Sequence, residues 1–400
     1  MRRRLAGGRK RTPPFGLGSA VGLALLAAAL GTACLPAKQA APPAVAATAA
    51  PTVASATTEE KTASPTAATP EPAPLPPVRA NEITLPPGFE ALRWADGLDQ
   101  PTALAFGPDG RLFVTERRGR VWTFRDRDRN GRAEPGTLYA EGLADLAGIA
   151  VASDTSVYLS DHGRISLATD LDHDGVTDTV APVVEGLPTG LNQNNGIAIG
   201  PDGSLYVAVG ATCHACVEQN HLAASIVALD FRTGVLSVYA TGFHNPVDLA
   251  FAPDGGLWVT DGGTTAPCAA ADELNRVEAD AHYGWPSCAA VPTAGPPARG
   301  PALDLGPDAG VAGLAWLELD LFPPDLSGGF FVALALPASD TAVAGGQLIF
   351  VASQPDGGMR RRAFALGFER PLAVRVGPDG ALYVADAGRG VIYRIGAPLE

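Results

Sequence analysis

Pro101-Thr102-Ala103-Leu104-Ala105-Phe106-Gly107-Pro108-Asp109-Gly110-Arg111-Leu112-Phe113-Val114-Thr115-Glu116 is the phrase on which the fold turns. It reads as a short apolar strand, a tight turn and a second strand that alternates apolar with polar. Proline fixes φ and glycine accepts φ > 0, so Pro-Asp-Gly predicts a hairpin. The phrase returns at residues 195–207, 246–259 and 371–384, with the turns Pro201-Asp202-Gly203, Pro253-Asp254-Gly255 and Pro378-Asp379-Gly380. Worn copies lie at 147–159, where Ala152-Ser153-Asp154 replaces the turn, and at 312–332, around Pro324-Asp325-Leu326-Ser327-Gly328. Six copies at a spacing of about 45 to 70 residues, each with room for four strands, predict an all-β fold. The expected architecture is a six-bladed β-propeller over residues 83–400.

Upstream, the composition changes twice. Arg2, Arg3, Arg4, Arg9, Lys10 and Arg11 precede an apolar segment rich in Ala, Leu and Gly that ends in Leu30-Gly31-Thr32-Ala33-Cys34. A basic start followed by a short apolar stretch is the pattern of an export signal. The small residues before Cys34 resemble a bacterial lipobox, with Gly31 where Leu or Val is usual. Residues 1–34 are therefore expected to be a lipoprotein signal with Cys34 as the lipidation site, and plain secretion or a retained anchor is the alternative. Residues 35–82 are dominated by Ala, Pro and Thr and lack the aromatic residues a core would need, so a disordered linker is expected. The predicted protein is exported, periplasmic or extracellular, and meets a membrane only through its N-terminal lipid.

The formal charge is −13, and removing the basic residues of the signal leaves −19 for residues 35–400. No basic stripe is present, so nucleic acid is not an expected partner.

Two loops carry regularly spaced oxygen ligands. Asp126, Asp128, Asn130 and Glu134 occupy positions 1, 3, 5 and 9 of one, and Asp170, Asp172, Asp174 and Asp178 the same positions of the other. Hard oxygens at alternate positions followed by a glycine bend can wrap calcium. Neither loop has a Glu at position 12, and an acidic hairpin without metal is the plainer alternative. Cys213, Cys216, Cys268 and Cys288 are even in number, as exported disulfide proteins require. Three connectivities are possible, and local closure favours Cys213–Cys216 and Cys268–Cys288.

The run Tyr239-Ala240-Thr241-Gly242-Phe243-His244-Asn245-Pro246, then Asp272-Glu273-Leu274-Asn275-Arg276-Val277 and Tyr283-Gly284-Trp285-Pro286, resembles the glucose/sorbosone dehydrogenase family. The resemblance covers residues 84–397. It implies a six-bladed propeller that oxidises a carbohydrate with pyrroloquinoline quinone (PQQ) and calcium and passes electrons to an external acceptor. It places the family's general-base histidine at Asn192, and an amide does not accept a proton as imidazole does. The cofactor contacts implied are Asn194, Asn195, His244, Asn245 and Arg370. The central calcium falls near Gly263 and Thr264, with Asp261 beside them. No lysine follows Lys61, so arginine and histidine must meet the carboxylates of the quinone. His214 and His221 are expected in solvent, and Tyr283 and Trp285 in packing. Two alternatives remain. One is a catalytically degenerate propeller acting as a ligand-binding or protein-interaction module. The other is a calcium lactonase resembling the gluconolactonase family, with Glu116, Asn195 and Asp261 in a metal cage.

Overall fold

The computed structural model describes residues 76–263, 270–286, 297–318, 322–336 and 345–399. The signal, most of the linker, Cys34, Thr264, Cys268 and Cys288 lie outside the described residues.

Six four-stranded antiparallel sheets follow one another along the chain. β1 (Glu90–Ala95) precedes blade 1, which is β2 (Pro101–Phe106), β3 (Leu112–Glu116), β4 (Arg120–Phe124) and β5 (Thr137–Ala140). Blade 2 is β6 (Gly148–Val151), β7 (Ser156–Asp161), β8 (Arg164–Thr169) and β9 (Thr179–Glu185). Blade 3 is β10 (Asn194–Ile199), β11 (Leu205–Val209), β12 (Ser225–Asp230) and β13 (Val235–Thr241). Blade 4 is β14 (Asn245–Phe251), β15 (Leu257–Gly262), β16 (Asp272–Val277) and β17 (Leu303–Gly306). Blade 5 is β18 (Val311–Leu317), β19 (Gly329–Leu334), β20 (Gly346–Ser353) and β21 (Met359–Phe368). Blade 6 is β22 (Pro371–Val376), β23 (Leu382–Asp386) and β24 (Val391–Gly396), and its fourth strand is β1. The ring is a six-bladed β-propeller, as the repeats predict.

Each full repeat makes the hairpin between a blade's first two strands. Gly107 N–H donates to Arg111 O at 2.8 Å, Gly110 N–H returns to Gly107 O at 3.0 Å, and Gly110 sits at φ 78°. The Asp of the turn holds it from the side, its carboxylate accepting the Arg111 N–H at 3.1 Å. The same bracket recurs at residues 200–204, 252–256 and 377–381.

The second strands of blades 1, 3, 5 and 6 are buried along their length, as in LFVTE, LYVAV and GFFVAL, because both faces of a blade pack on neighbours. Apolar side chains from adjacent blades fill the wedges between sheets, such as Phe113, Tyr139, Ile149 and Leu159 between blades 1 and 2. The first strands crowd the axis, which is why they carry glycines. A Cβ built on Gly196 would lie 2.7 Å from Val247 O, and one on Gly313 2.6 Å from Val374 N.

Closure joins the two ends of the propeller. β1 pairs antiparallel with β24 from Glu90↔Gly396 to Ala95↔Ile392. Packing extends back beyond the expected boundary at 83. Arg93 N–H donates to Val78 O at 2.8 Å, and Tyr393 Oη–H donates to Glu82 Oε1 at 2.8 Å.

Candidate functional site

The residues just before or at the start of each first strand lie on one face of the ring by the pseudo-symmetry of the blades. In blades 1, 3, 4, 5 and 6 these are Gln100, Asn194 and Asn195, His244 and Asn245, Gly310, and Arg370. That face therefore gathers the cofactor contacts that the resemblance implies, Asn194, Asn195, His244, Asn245 and Arg370.

A carboxylate at the end of the second strand fixes two of these starts. Asp261 Oδ2 accepts His244 N–H at 3.1 Å, and Oδ1 accepts Asn245 N–H at 2.7 Å. In blade 6, Asp386 does the same, taking Glu369 N–H and Arg370 N–H, each at 2.8 Å. Blade 1 uses a longer side chain, with Glu116 Oε1 accepting Asp99 N–H at 2.6 Å and Oε2 paired to Arg120 at 2.7 Å. Asp261 is thus a backbone clamp, each of its oxygens accepting one N–H. Burial pushes its pKa up to about 8, the charges of Glu273 and Asp272 adding to this and the two N–H donors opposing it. The signal was present in the sequence: Glu116, Asp161, Asp261 and Asp386 close the second strand of four different blades.

His244 is the most unusual group on this face. It is buried, and its Nδ1 lies 2.9 Å from Gly262 O, so Nδ1 carries the proton and donates. Nε2 is buried with no hydrogen-bond partner. The ring stacks toward His214 at 6.2 Å and meets Trp285 at 6.0 Å. Burial lowers its pKa below the ordinary imidazole value, and His214 adds to that, so the ring stays neutral with an open acceptor. A cavity of about 180 Å³ adjoins it, lined in part by Asp261, Gly263, Glu273, Tyr283 and Trp285.

The asparagines hold blades together. Asn194 is fully buried; its Oδ1 accepts Gly163 N–H and its Nδ2 reaches Ser160 Oγ, Asp161 O and Arg164 O. Its amide bonds across the seam between blades 2 and 3. Asn195 Nδ2 donates to Asn245 Oδ1 at 3.0 Å and Pro246 O at 2.8 Å. Asn192 Nδ2 donates to His244 O at 3.2 Å, so Asn192 touches the backbone of the buried histidine.

Cys213 and Cys216 are joined in a disulfide, as local closure predicts. The loop is pinned beside it by Glu218, which accepts Thr212 N–H at 2.7 Å and Thr212 Oγ1–H at 2.6 Å. His214, inside the disulfide loop, is exposed as expected, yet it lies against His244. Sequence separation hid that neighbourhood. Gly263 N–H donates to Asp272 Oδ1 at 2.7 Å, and Asp272 Oδ2 accepts Val311 N–H at 3.0 Å, so the Asp-Glu-Leu-Asn-Arg strand braces blade 5. Tyr283 packs on Phe243 and donates its hydroxyl to Arg276 O at 2.6 Å, in keeping with a packing role.

Cations on this face are mostly neutralised. Arg164 pairs with Asp161, Arg389 with Asp386 at 3.0 Å, and Arg118 with Asp99 at 3.2 Å. Arg370 differs: it is exposed, and its guanidinium bonds the neutral amide of Gln100 at 3.2 Å. Glu116 and Asp261, which the lactonase alternative places in a metal cage with Asn195, each hold a backbone N–H at the start of a blade.

The six sheets define a six-bladed propeller, and comparison gives its family. The glucose/sorbosone dehydrogenase profile matches residues 98–394, and the chain belongs to that family. It is similar to quinoprotein glucose dehydrogenase B of Acinetobacter calcoaceticus, 25% identical over 257 residues, covering 48% of this chain and 51% of that protein. An uncharacterised Synechocystis protein is 27% identical over 259 residues, 52% of this chain and 61% of its own length. The chain thus spans between half and two thirds of these curated relatives. A solved glucose dehydrogenase is 26% identical with a TM-score of 0.63, covering 77% of this chain and 99% of that one. The PQQ-bound aldose sugar dehydrogenase of Streptomyces coelicolor shares the fold, with a TM-score of 0.61 at 23% identity over 78% of this chain and 99% of that one.

Proposed function

We propose that the chain is an exported PQQ- and calcium-dependent dehydrogenase of a sugar, in which proton acceptance has passed from the Asn192 position to His244. The observation that carries this is the neutral, buried His244 whose Nε2 has no partner beside a cavity on the face of the strand starts. One feature of this face suits an anionic quinone: the Arg370 guanidinium bonded to a neutral amide, which leaves its charge to meet an anion. PQQ, when bound, supplies the acceptor for the hydride. The chain's own residues do the rest. Arg370 and Asn245 hold the anion, and Asp261 and Asp386 keep their strand starts fixed. His244 Nε2 takes the hydroxyl proton while Nδ1–H stays on Gly262 O, and the resulting imidazolium is stabilised by the charge of Asp272. His214 and Trp285 cover the ring, so substrate access to Nε2 requires the disulfide loop to shift.

A sugar with a free hydroxyl and an external acceptor complete the turnover, and the leader with Cys34 anchors the protein on the outer face of a membrane. Among the described residues no helix is long and apolar enough to cross one. A second reading, a ligand-binding propeller without turnover, is favoured by one observation: most cations of the face are already paired to acids.

Dye reduction by the full-length protein with PQQ, calcium and an aldose panel tests the proposal. Activity lost in His244→Gln and regained in Asn192→His/His244→Gln is expected. Activity unchanged in His244→Gln removes the assigned base, and the absence of any PQQ binding leaves the second reading.

A further inference from the structure

The loop from β8 to β9, at the rim of blade 2, is built differently from its counterpart in blade 1. Its backbone follows a cation-loop pattern. His173 takes φ 63° and Gly175 φ 90°, Gly175 N–H donates to Asp170 Oδ2 at 3.1 Å, and Leu171 N–H donates to Asp178 Oδ2 at 2.6 Å. These bonds only shape the turn. The telling feature is Asp170. Its side chain is 1% exposed, and its Oδ1 is buried with no hydrogen-bond partner. Asp170, Asp172 and Asp174 each present a carboxylate oxygen within 4.8 Å of the others. A buried carboxylate oxygen without a donor is costly, and two further carboxylates beside it raise that cost unless a cation sits among them.

The loop of blade 1 supplies a built-in comparison. It has the same turn, with Arg129 at φ 57°, Gly131 at φ 85° and Gly131 N–H on Asp126 Oδ2 at 2.9 Å. There, however, Asp126 Oδ1 accepts Asn130 N–H at 3.1 Å, and the Asn130 amide donates to Asp128 at 2.9 Å. Arg127 bonds Glu134 through its N–H at 2.7 Å and flanks it with its guanidinium at 4.0 Å. Its first Asp is satisfied by the protein, and the expectation of calcium at Asp126, Asp128, Asn130 and Glu134 is not carried further.

We propose that the 170–178 loop is a divalent-cation site of its own, apart from any metal of the central face, and that it takes calcium. All-oxygen ligands on an exposed, adaptable turn suit Ca²⁺ better than Mg²⁺, which demands a strict octahedron. Asp170 Oδ1, Asp172 and Asp174 bind directly, the carbonyl of Val176 stands at the loop's seventh position, and Asp178 keeps the turn closed. The site also ties two blades together. Thr177 N–H donates to Tyr139 O at 2.9 Å, and Arg111, from blade 1, reaches Asp154 O of blade 2 at 2.7 Å. A bound cation stiffens that seam.

Calorimetric titration of EDTA-treated full-length protein with CaCl₂, paired with thermal unfolding, tests this without reference to activity. Asp172 and Asp174 are exposed, so Asp172→Asn/Asp174→Asn leaves the core intact. The expected result is a binding event in the wild type that raises Tm, weakened about tenfold or more in that variant. Asp128→Asn, in the blade 1 loop, leaves it unchanged. A central calcium persists in both variants and is thereby told apart. An isotherm that is the same in the wild type and in Asp172→Asn/Asp174→Asn, or no event up to millimolar calcium, overturns the proposal. His244→Gln, which disrupts the proposed chemistry, leaves the event in place.

Discussion

Arg375, on the first strand of blade 6, grips Asp248, on the first strand of blade 4, through a bidentate pair of 2.7 and 3.0 Å. Asp248 Oδ2 also accepts Leu314 N–H of blade 5 at 2.9 Å, so one carboxylate binds three consecutive blades near the axis. The pair sits beneath the face that carries His244 and Arg370, and it fixes how far apart their blades stand. Removing the guanidinium strands a buried charge, and Arg375→Met is expected to destabilise the protein by about 3 to 5 kcal/mol. Asp248→Asn/Arg375→Met, which removes both charges, is expected to cost less than Arg375→Met alone. Urea unfolding of the three proteins checks this.

The axis also sets a steric prediction. Gly196→Ala pushes a methyl to 2.7 Å from Val247 O, a backbone atom that cannot rotate away. The blade 3–blade 4 seam must open, and a loss of about 1 to 3 kcal/mol is expected, as for overpacking elsewhere. Gly203→Ala, at a turn where a Cβ meets nothing but φ is 81°, is expected to cost about 1 kcal/mol from backbone strain alone. Melting temperatures of the two variants rank the effects.

Asp261 gives a pH dependence of defined sign. Its folded pKa is raised to about 8, above the ordinary carboxylate value of 3.8, so the folded state holds a proton that the unfolded state has released. The stability it contributes is full below the unfolded value and is lost as pH rises from about 4 towards about 8. Asp261→Asn cannot ionise and is expected to flatten that part of the stability–pH curve. Denaturation midpoints between pH 4 and 9 measure it, and an unaltered slope in the variant contradicts the assignment.

The Cys213–Cys216 disulfide closes only a short loop, worth at most about 2 kcal/mol by chain entropy. Its larger effect is local, since it carries His214 against His244. Cys213→Ser/Cys216→Ser is therefore expected to change sugar KM and the acid limb of the pH–rate profile more than it changes Tm. Steady-state kinetics beside a thermal scan separate the two.

Much of the architecture was legible because the chain repeats a local instruction. Pro-Asp-Gly between two apolar strands specifies a hairpin wherever it occurs, and even the worn copies at 147–159 and 312–332 form blades. Closure was not legible. Glu90–Ala95 lies before the first repeat, and nothing near it in sequence shows that its partner is Val391–Gly396. The site divides in the same way. His244, Asn245 and Arg370 share one face because their position relative to a strand start fixes it. The commitments of Asp261 and Asn194 could not be read, since each depends on backbone N–H groups and carbonyls supplied by tertiary neighbours. The neighbourhood of His214 and His244 likewise depends on how one loop folds over the next blade. Asp170 and Asp126 occupy identical motif positions, and only the three-dimensional count of donors tells a satisfied carboxylate from an open one.

The central claim is that this face holds an anionic quinone through Arg370 with His244 as proton acceptor. Equilibrium titration of PQQ into the calcium-loaded full-length protein tests it most directly, followed by absorbance and repeated with Arg370→Gln and His244→Gln. The account predicts saturable binding in the wild type, affinity reduced about tenfold or more in Arg370→Gln through loss of a charged hydrogen bond, and binding retained without sugar-dependent reduction in His244→Gln. Titration curves that show no saturation in the wild type, or that are the same in Arg370→Gln, contradict it.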